Sequence, residues 1–209
     1  MNKRVLSTLI AVIVLSVFAA TTASAASPFR KIRGGTVHVP SSVIFPARVG
    51  VFQFSRPQVY GSGGRDAGAE YHFGRNIRCN VYIYPLGTYG KDFNAELRVQ
   101  QNAINQMNKS VNLVSAGRFQ LNQGGRSITG TRAQYELTRV LYQKKAQRCG
   151  SQLYLFRDGP WLVQYRFSYP IEQSAAASRQ IADFLRLWQW RAQGNLVELN
   201  QRRADGRNS

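Results

Sequence analysis

The sequence predicts an α+β fold: an antiparallel β-sheet, built from an early hairpin and a later meander and packed by two long amphipathic helices. Three observations carry that expectation. Apolar residues alternate with period two over 67–73, 77–84 and 161–169, the spacing that puts one face of a strand in a core. Two other stretches, 93–116 and Ala177 to Gly194, switch to helical spacing. The order is therefore strands, helix, strands, helix, a block arrangement that argues for α+β rather than alternating α/β.

Taken in chain order, Ala26 to Gly35 is polar and basic and reads as a flexible lead-in, with order beginning near Thr36. Val37 and Val39 alternate with polar neighbours, and Arg48 to Tyr60 is rich in Val, Phe and Tyr, with Pro57 marking a bulge or an edge. Gly61 to Gly64 breaks the pattern. Its glycines with Arg65 could cradle an anion, but the segment reads better as a turn. In the hairpin that follows, Ala67, Ala69, Tyr71 and Phe73 face one way, and Ile77, Cys79, Val81 and Ile83 do so on the next strand. Beyond Asp92, a fair N-cap, the residues Phe93, Leu97, Ile104, Met107, Val111 and Val114 fit one helical face ending at Gly117. Further strands are expected over 118–122, 131–145, 151–157 and 161–169, the last two joined by Asp158-Gly159. Ala177, Ile181, Phe184, Leu185, Trp188 and Ala192 then trace the second helix, and 195–209 is a basic, flexible tail. Residues 36–194 are expected to form one domain.

The first 25 residues read as a cleaved secretory signal. Lys3 and Arg4 precede an apolar run from Val5 to Ala20, shorter than the roughly 20 residues that span a bilayer, and Ala23-Ser24-Ala25 fits cleavage after Ala25. No transmembrane anchor would then remain. The expected address is the periplasm, with the extracellular space as the alternative. Losing Lys3 and Arg4 leaves 26 basic residues against 10 acidic ones, a net charge of +16. Arginine dominates, and its fork-shaped cation suits phosphates and carboxylates. The expected partners are an envelope protein or an anionic envelope component, such as lipid phosphate, lipopolysaccharide or an acidic wall polymer; nucleic acid is not expected. Export would carry Cys79 and Cys149 to an oxidising compartment, where one disulfide is the economical expectation and two buried thiols the alternative. Closing that loop of 70 residues would stabilise the fold by roughly 4 kcal/mol.

Taken together, the early hairpin, a helix of about six turns, a meander of aromatic-rich strands and an amphipathic C-terminal helix resemble the PsbP-like fold, including the small bacterial envelope proteins related to DcrB. The resemblance covers Thr36 to Gly194 and rests on the order and length of elements. It implies a non-enzymatic accessory that docks on a larger assembly or binds at the envelope. That fold has no shared catalytic signature, so no residue role carries over.

The residues themselves offer little catalytic apparatus. His38 and His72 are the only histidines, and no G-x-S-x-G, H-E-x-x-H or P-loop is present. Ser41 or Ser62 with His72 and Asp66 is the only nucleophile arrangement to be drawn, and its spacing supports nothing. No metal site and no cofactor are expected. A secreted hydrolase acting on a phosphodiester or cell-wall polymer would have to use His72 and Glu70, which share one side of a strand, with Arg78 or Arg166 opposite. The binding alternative uses the same surface: Arg78, Tyr82, Tyr84 and Arg166, with Gln164, would form a cationic, aromatic sheet face suited to an anionic lipid or lipopolysaccharide. Burial of Tyr82 and Tyr84 beneath the C-terminal helix is the competing expectation. Lys144, Lys145 and Arg148 make a second basic cluster at a hairpin end.

Overall fold

A computed structural model describes residues 27–123, 125–140 and 146–190. The chain opens with three short strands, β1 (Phe29–Ile32), β2 (Gly35–His38) and β3 (Val43–Pro46), which form a separate antiparallel sheet. Order thus begins before Thr36, contrary to expectation. The Phe29 ring explains it, lying 5.5 Å from His38 and 6.1 Å from Phe45. An apolar anchor recruits the basic segment around it.

The main sheet has eight antiparallel strands. They are β4 (Arg48–Val49), β5 (Phe52–Tyr60), β6 (Asp66–Phe73), β7 (Ile77–Pro85), β8 (Lys109–Gln123), β9 (Arg126–Val140), β10 (Ala146–Asp158) and β11 (Trp161–Pro170). Their spatial order is β4-β5-β6-β7-β11-β10-β9-β8. The expected hairpin is β6–β7, with Tyr71 opposite Cys79. The irregularity expected near Pro57 is a bulge between Phe54 and Arg56. The Asp158-Gly159 turn brings Asp158 opposite Trp161.

Two helices complete the fold: α1 (Phe93–Met107) and α2 (Ser174–Leu187), the second entered through a single 3₁₀ turn at Ile171–Gln173. The expectation of two long helices is corrected here, since they have 15 and 14 residues. Asp92 does cap α1, accepting from the Ala95 N–H at 2.8 Å. The helix ends at Asn108, whose side chain donates to the Ile104 carbonyl at 2.7 Å and whose backbone is extended. Residues 109–123 then pair with β9. The helical spacing of Val111 and Val114 was outweighed by β-branching and by a long partner strand. Gly117 lies within β8 and terminates nothing.

α2 and the small sheet cover one face of the main sheet. Phe52, Tyr71, Tyr165, Phe167, Phe184 and Trp188 are fully buried there and pack mostly edge to face at 5–6 Å, the arrangement aromatic quadrupoles favour. Each such side chain contributes roughly 2–3 kcal/mol through burial. Trp188 also fastens the layers, its indole N–H donating to the Ile44 carbonyl at 2.7 Å. On the opposite face α1 lies over the other half of the sheet. Ile104 packs with Ala133, Tyr135, Leu137 and Leu153, while Phe93 and Leu97 pack with Tyr84, Leu155 and Leu162.

The two cysteines are free, and both are buried. The expected disulfide fails on geometry. Cys79 belongs to the core beneath α2 and Cys149 to the cluster beneath α1, so they lie on opposite faces of the sheet. β11 also stands between their strands. With strands about 4.8 Å apart, two strand spacings already exceed the 7 Å or so that a disulfide bridges.

Candidate functional site

Because α1 covers only β9, β10, β11 and the end of β7, the same face of β4, β5, β6 and the rest of β7 remains open. Cross-strand register assembles it row by row. In the first row Arg48 is opposite Gln53, Gln53 opposite His72, and His72 opposite Arg78. In the second, Arg56 is opposite Glu70, Glu70 opposite Asn80, and Asn80 opposite Arg166. In the third, Gln58, Gly68, Tyr82 and Gln164 line up. Residues opposite one another on neighbouring strands share a face, so these rows form one polar surface.

The surface is cationic. Arg48, Arg56 and Arg78 stand on its open strands with Glu70, which lies 3.6 Å from Arg78, while Arg166, on β11, is half-buried at the margin of the ground that α1 covers. The Arg78 and Glu70 side chains retain about a quarter of their exposure. That pairing is worth little in water. Tyr60 and Tyr82 stand beside the rows with ring centroids 5.6 Å apart. Burial, then the neighbouring Tyr82, pushes the Tyr60 phenol up to about 12, so it stays neutral.

At the end nearest α1 the chemistry reverses. Glu96 is fully buried and accepts the N–H groups of Gly87 and Tyr89, both at 3.0 Å. Tyr89 donates its hydroxyl to Asp66. Burial, with the Glu96 charge adding to it, raises the Asp66 carboxyl above its ordinary value, and the Tyr89 bond opposes the rise. This acidic group pins the 86–91 loop to the helix and bounds the cationic surface.

At the other end the turns at Gly50 and Gly74 frame an open cleft of about 600 Å³. Arg48, Gln53 and His72 form its polar wall, Val51 and Phe73 its apolar one.

Of the residues expected to bind, Arg78, Tyr82 and Arg166 lie on this face and are half-buried, whereas Tyr84 is buried and lost to a ligand. The helix above Tyr84 is α1, not the C-terminal one, because even-numbered positions of β7 face α1. Its hydroxyl donates to Gln164 at 3.1 Å. Lys144 and Lys145 lie outside the described residues, as do the signal segment and the basic tail. Arg148 pairs with Glu136 at 2.9 Å on the exposed surface, so that part of the second cluster is neutralised.

The catalytic sketch does not assemble. Ser41 is hydrogen-bonded at 2.7 Å to His38, not to His72, and both are buried. Asp66 and His72 are six residues apart on one strand, roughly 20 Å. Gly61 to Gly64 is a turn whose Gly64 carbonyl is taken by His38 at 2.7 Å. Sequence reasoning missed Arg48, Gln53 and Arg56. The bulge after Phe54 puts Arg56 out of step with Gln53, and the turn at Gly50 brings Arg48 opposite Gln53, so period-two counting along the segment could not place them together on the His72 side.

No protein-family model matches the sequence, and no curated protein matches it. Among solved structures the chain is similar to cyanobacterial PsbP (CyanoP) from Synechocystis sp. PCC 6803, at 11% identity and a TM-score of 0.46, covering 75% of this chain and 86% of that one. It is also similar to a Pseudomonas aeruginosa protein of unknown function described as a putative regulator, at 9% identity and TM-score 0.38, covering 73% and 92%. A Bacteroides thetaiotaomicron protein gives 13% identity and TM-score 0.35, covering 74% and 54%. A PsbP protein, the likeness expected from the order of elements, is among these similarities. They carry no role over to this chain.

Proposed function

We propose that this protein is an exported, non-enzymatic accessory of a bacterial envelope that binds a phosphate-bearing envelope component through the open face of its sheet. The observation that carries the reading is the juxtaposition of Arg48, Arg56 and Arg78, with Glu70 among them, on the strands β4 to β7 that α1 leaves uncovered. Guanidiniums held on rigid strands present their forks without further ordering, which favours phosphate oxygens over a diffuse cloud of counter-ions. The leader-like first 25 residues support export, and periplasm is the compartment we assign.

Sedimentation with vesicles tests this. The purified protein should pellet with phosphatidylglycerol vesicles and not with phosphatidylcholine vesicles, and the double variant Arg56→Gln/Arg78→Gln should bind roughly tenfold more weakly. Equal pelleting with both lipids, or no loss in the variant, overturns the reading. N-terminal sequencing after export should begin at Ala26.

A second reading, a phosphodiester hydrolase, is favoured by Glu70, His72 and Arg78 lying on adjacent positions of β6 and β7. Its mark would be turnover of bis(p-nitrophenyl) phosphate that His72→Gln abolishes.

A further inference from the structure

The cleft at the Gly50 and Gly74 turns combines three features that the open face does not. It is concave, it joins a cation to neutral hydrogen-bonding groups, and one of its walls is apolar. Arg48, Gln53 and His72 stand on three successive strands at paired register positions. Neighbouring members are therefore about 4.8 Å apart at the backbone and Arg48 and His72 about 10 Å, a gap that the long Arg48 side chain spans so that one phosphate between them meets both. Arg48 takes part in none of the three ion pairs among the described residues. Val51 is exposed at 38%, and Phe73 is half-buried against the core below.

A volume of about 600 Å³ falls in the roughly 300–1,000 Å³ range of small-molecule sites and is more than an inorganic phosphate fills. We infer that the cleft is a binding site for the phosphate ester of a small sugar or polyol, with Arg48 and His72 on the phosphate, Gln53 on a hydroxyl, and the ring against Val51 and Phe73. This deepens the binding reading above and rests on it for the source of the ligand, which is a free sugar phosphate or the phosphorylated sugar of a lipid.

The charged groups around His72 are Arg48 on β4, Arg78 on β7 and Glu70 on its own strand. Arg75 follows in the exposed turn.

His72 and His38 are the chain's only histidines, so their imidazole C2–H proton signals are two, and His72→Gln assigns them. Titration with glucosamine 1-phosphate at fixed pH should shift the His72 signal, leaving the buried His38 signal in place. Inorganic phosphate should act in the same direction but at least tenfold more weakly, and glucosamine should do nothing. Arg48→Gln should weaken binding about tenfold, whereas Arg179→Gln, on the exposed side of α2, should not. Vesicles bearing a phosphorylated glucosamine lipid that shift His72 identify the lipid-borne source; response to the free sugar phosphate alone identifies the soluble one. A His72 signal unmoved by every sugar phosphate overturns this inference. If phosphatidylglycerol vesicles still bind in that case, the wider reading stands; if they too fail, both fall.

Discussion

Replacing His38 tests whether the small N-terminal sheet is held to the main one by a buried hydrogen-bonded imidazole. The ring is fully buried. The Gly64 carbonyl can only accept, so Nε2 carries the proton and donates across 2.7 Å, leaving Nδ1 to accept from the Ser41 hydroxyl, also at 2.7 Å. The ring further packs on Phe29 at 5.5 Å and Trp161 at 5.9 Å. Two buried hydrogen bonds at about 1 kcal/mol each, with two ring contacts at about 0.5–1 kcal/mol each, make His38→Ala cost about 3–4 kcal/mol. Burial also holds the imidazole below its ordinary value, the Gly64 bond opposing in part. Arg65, next to Gly64, is stacked over Trp161 at 5.7 Å. Above the ordinary histidine value both folded and unfolded states are neutral at this site, and it gives no pH dependence. As pH falls below about 6.5 the unfolded chain takes up the proton first, so stability drops, by at most about 1.4 kcal/mol per pH unit, until the folded state also protonates. Asp66, whose carboxyl is raised, titrates with the opposite sign, and its contribution cancels in a variant difference. Urea unfolding followed by far-ultraviolet circular dichroism at pH 7.5 and 5.5 reads both effects. His38→Gln, which keeps a donor and an acceptor, should remove this component of the acid sensitivity. An alanine cost below about 1 kcal/mol, or an unchanged pH slope in His38→Gln, refutes the clasp.

Two further outcomes follow from the described geometry. Reductant should leave the melting temperature unchanged, and a thiol reagent should modify Cys79 and Cys149 only after unfolding, since burial pushes the Cys79 thiol well above its ordinary value; a reductant-induced drop would mean the two are bridged. Gly150→Ala should destabilise by about 1–3 kcal/mol in urea unfolding, because its Cβ would lie 2.2 Å from the Tyr169 ring laid across it.

Strands facing a core on one side were legible because their alternation is enforced by burial. Tyr71 and Cys79, or Tyr165 and Phe167, could sit nowhere else. The end of α1 was not legible, because Val111 and Val114 fit a helical stripe as well as a strand. Pairing with residues about twenty positions later decided between them, and local propensity carries no information about that partner. The result leaves Leu113 and Val114 exposed at 52% and 55% on an edge strand. Of the candidate site, Arg78, Tyr82 and Arg166 were legible from alternation alone. Tyr84 was misplaced because alternation names a face but not which helix covers it, Arg56 was hidden by the bulge, and Arg48 by the turn at Gly50 that brings it opposite Gln53.

One face of one sheet thus carries two chemistries, and the helix divides them. Over β9, β10 and β11 that face presents Ala133, Tyr135, Leu137, Leu153, Leu155 and Leu162, and α1 covers them. Over β4 to β7 it presents Arg48, Arg56, His72 and Arg78. An apolar helix laid there would strip water from guanidiniums with only Glu70 in return, at a cost of several kcal/mol for each unpaired charge. That cost is a physical reason for this half of the face to stay open, and it constrains whatever covers it. Only a partner that brings anionic oxygens within reach of those arginines replaces the water they lose, so phosphate-rich surfaces are favoured and apolar ones excluded.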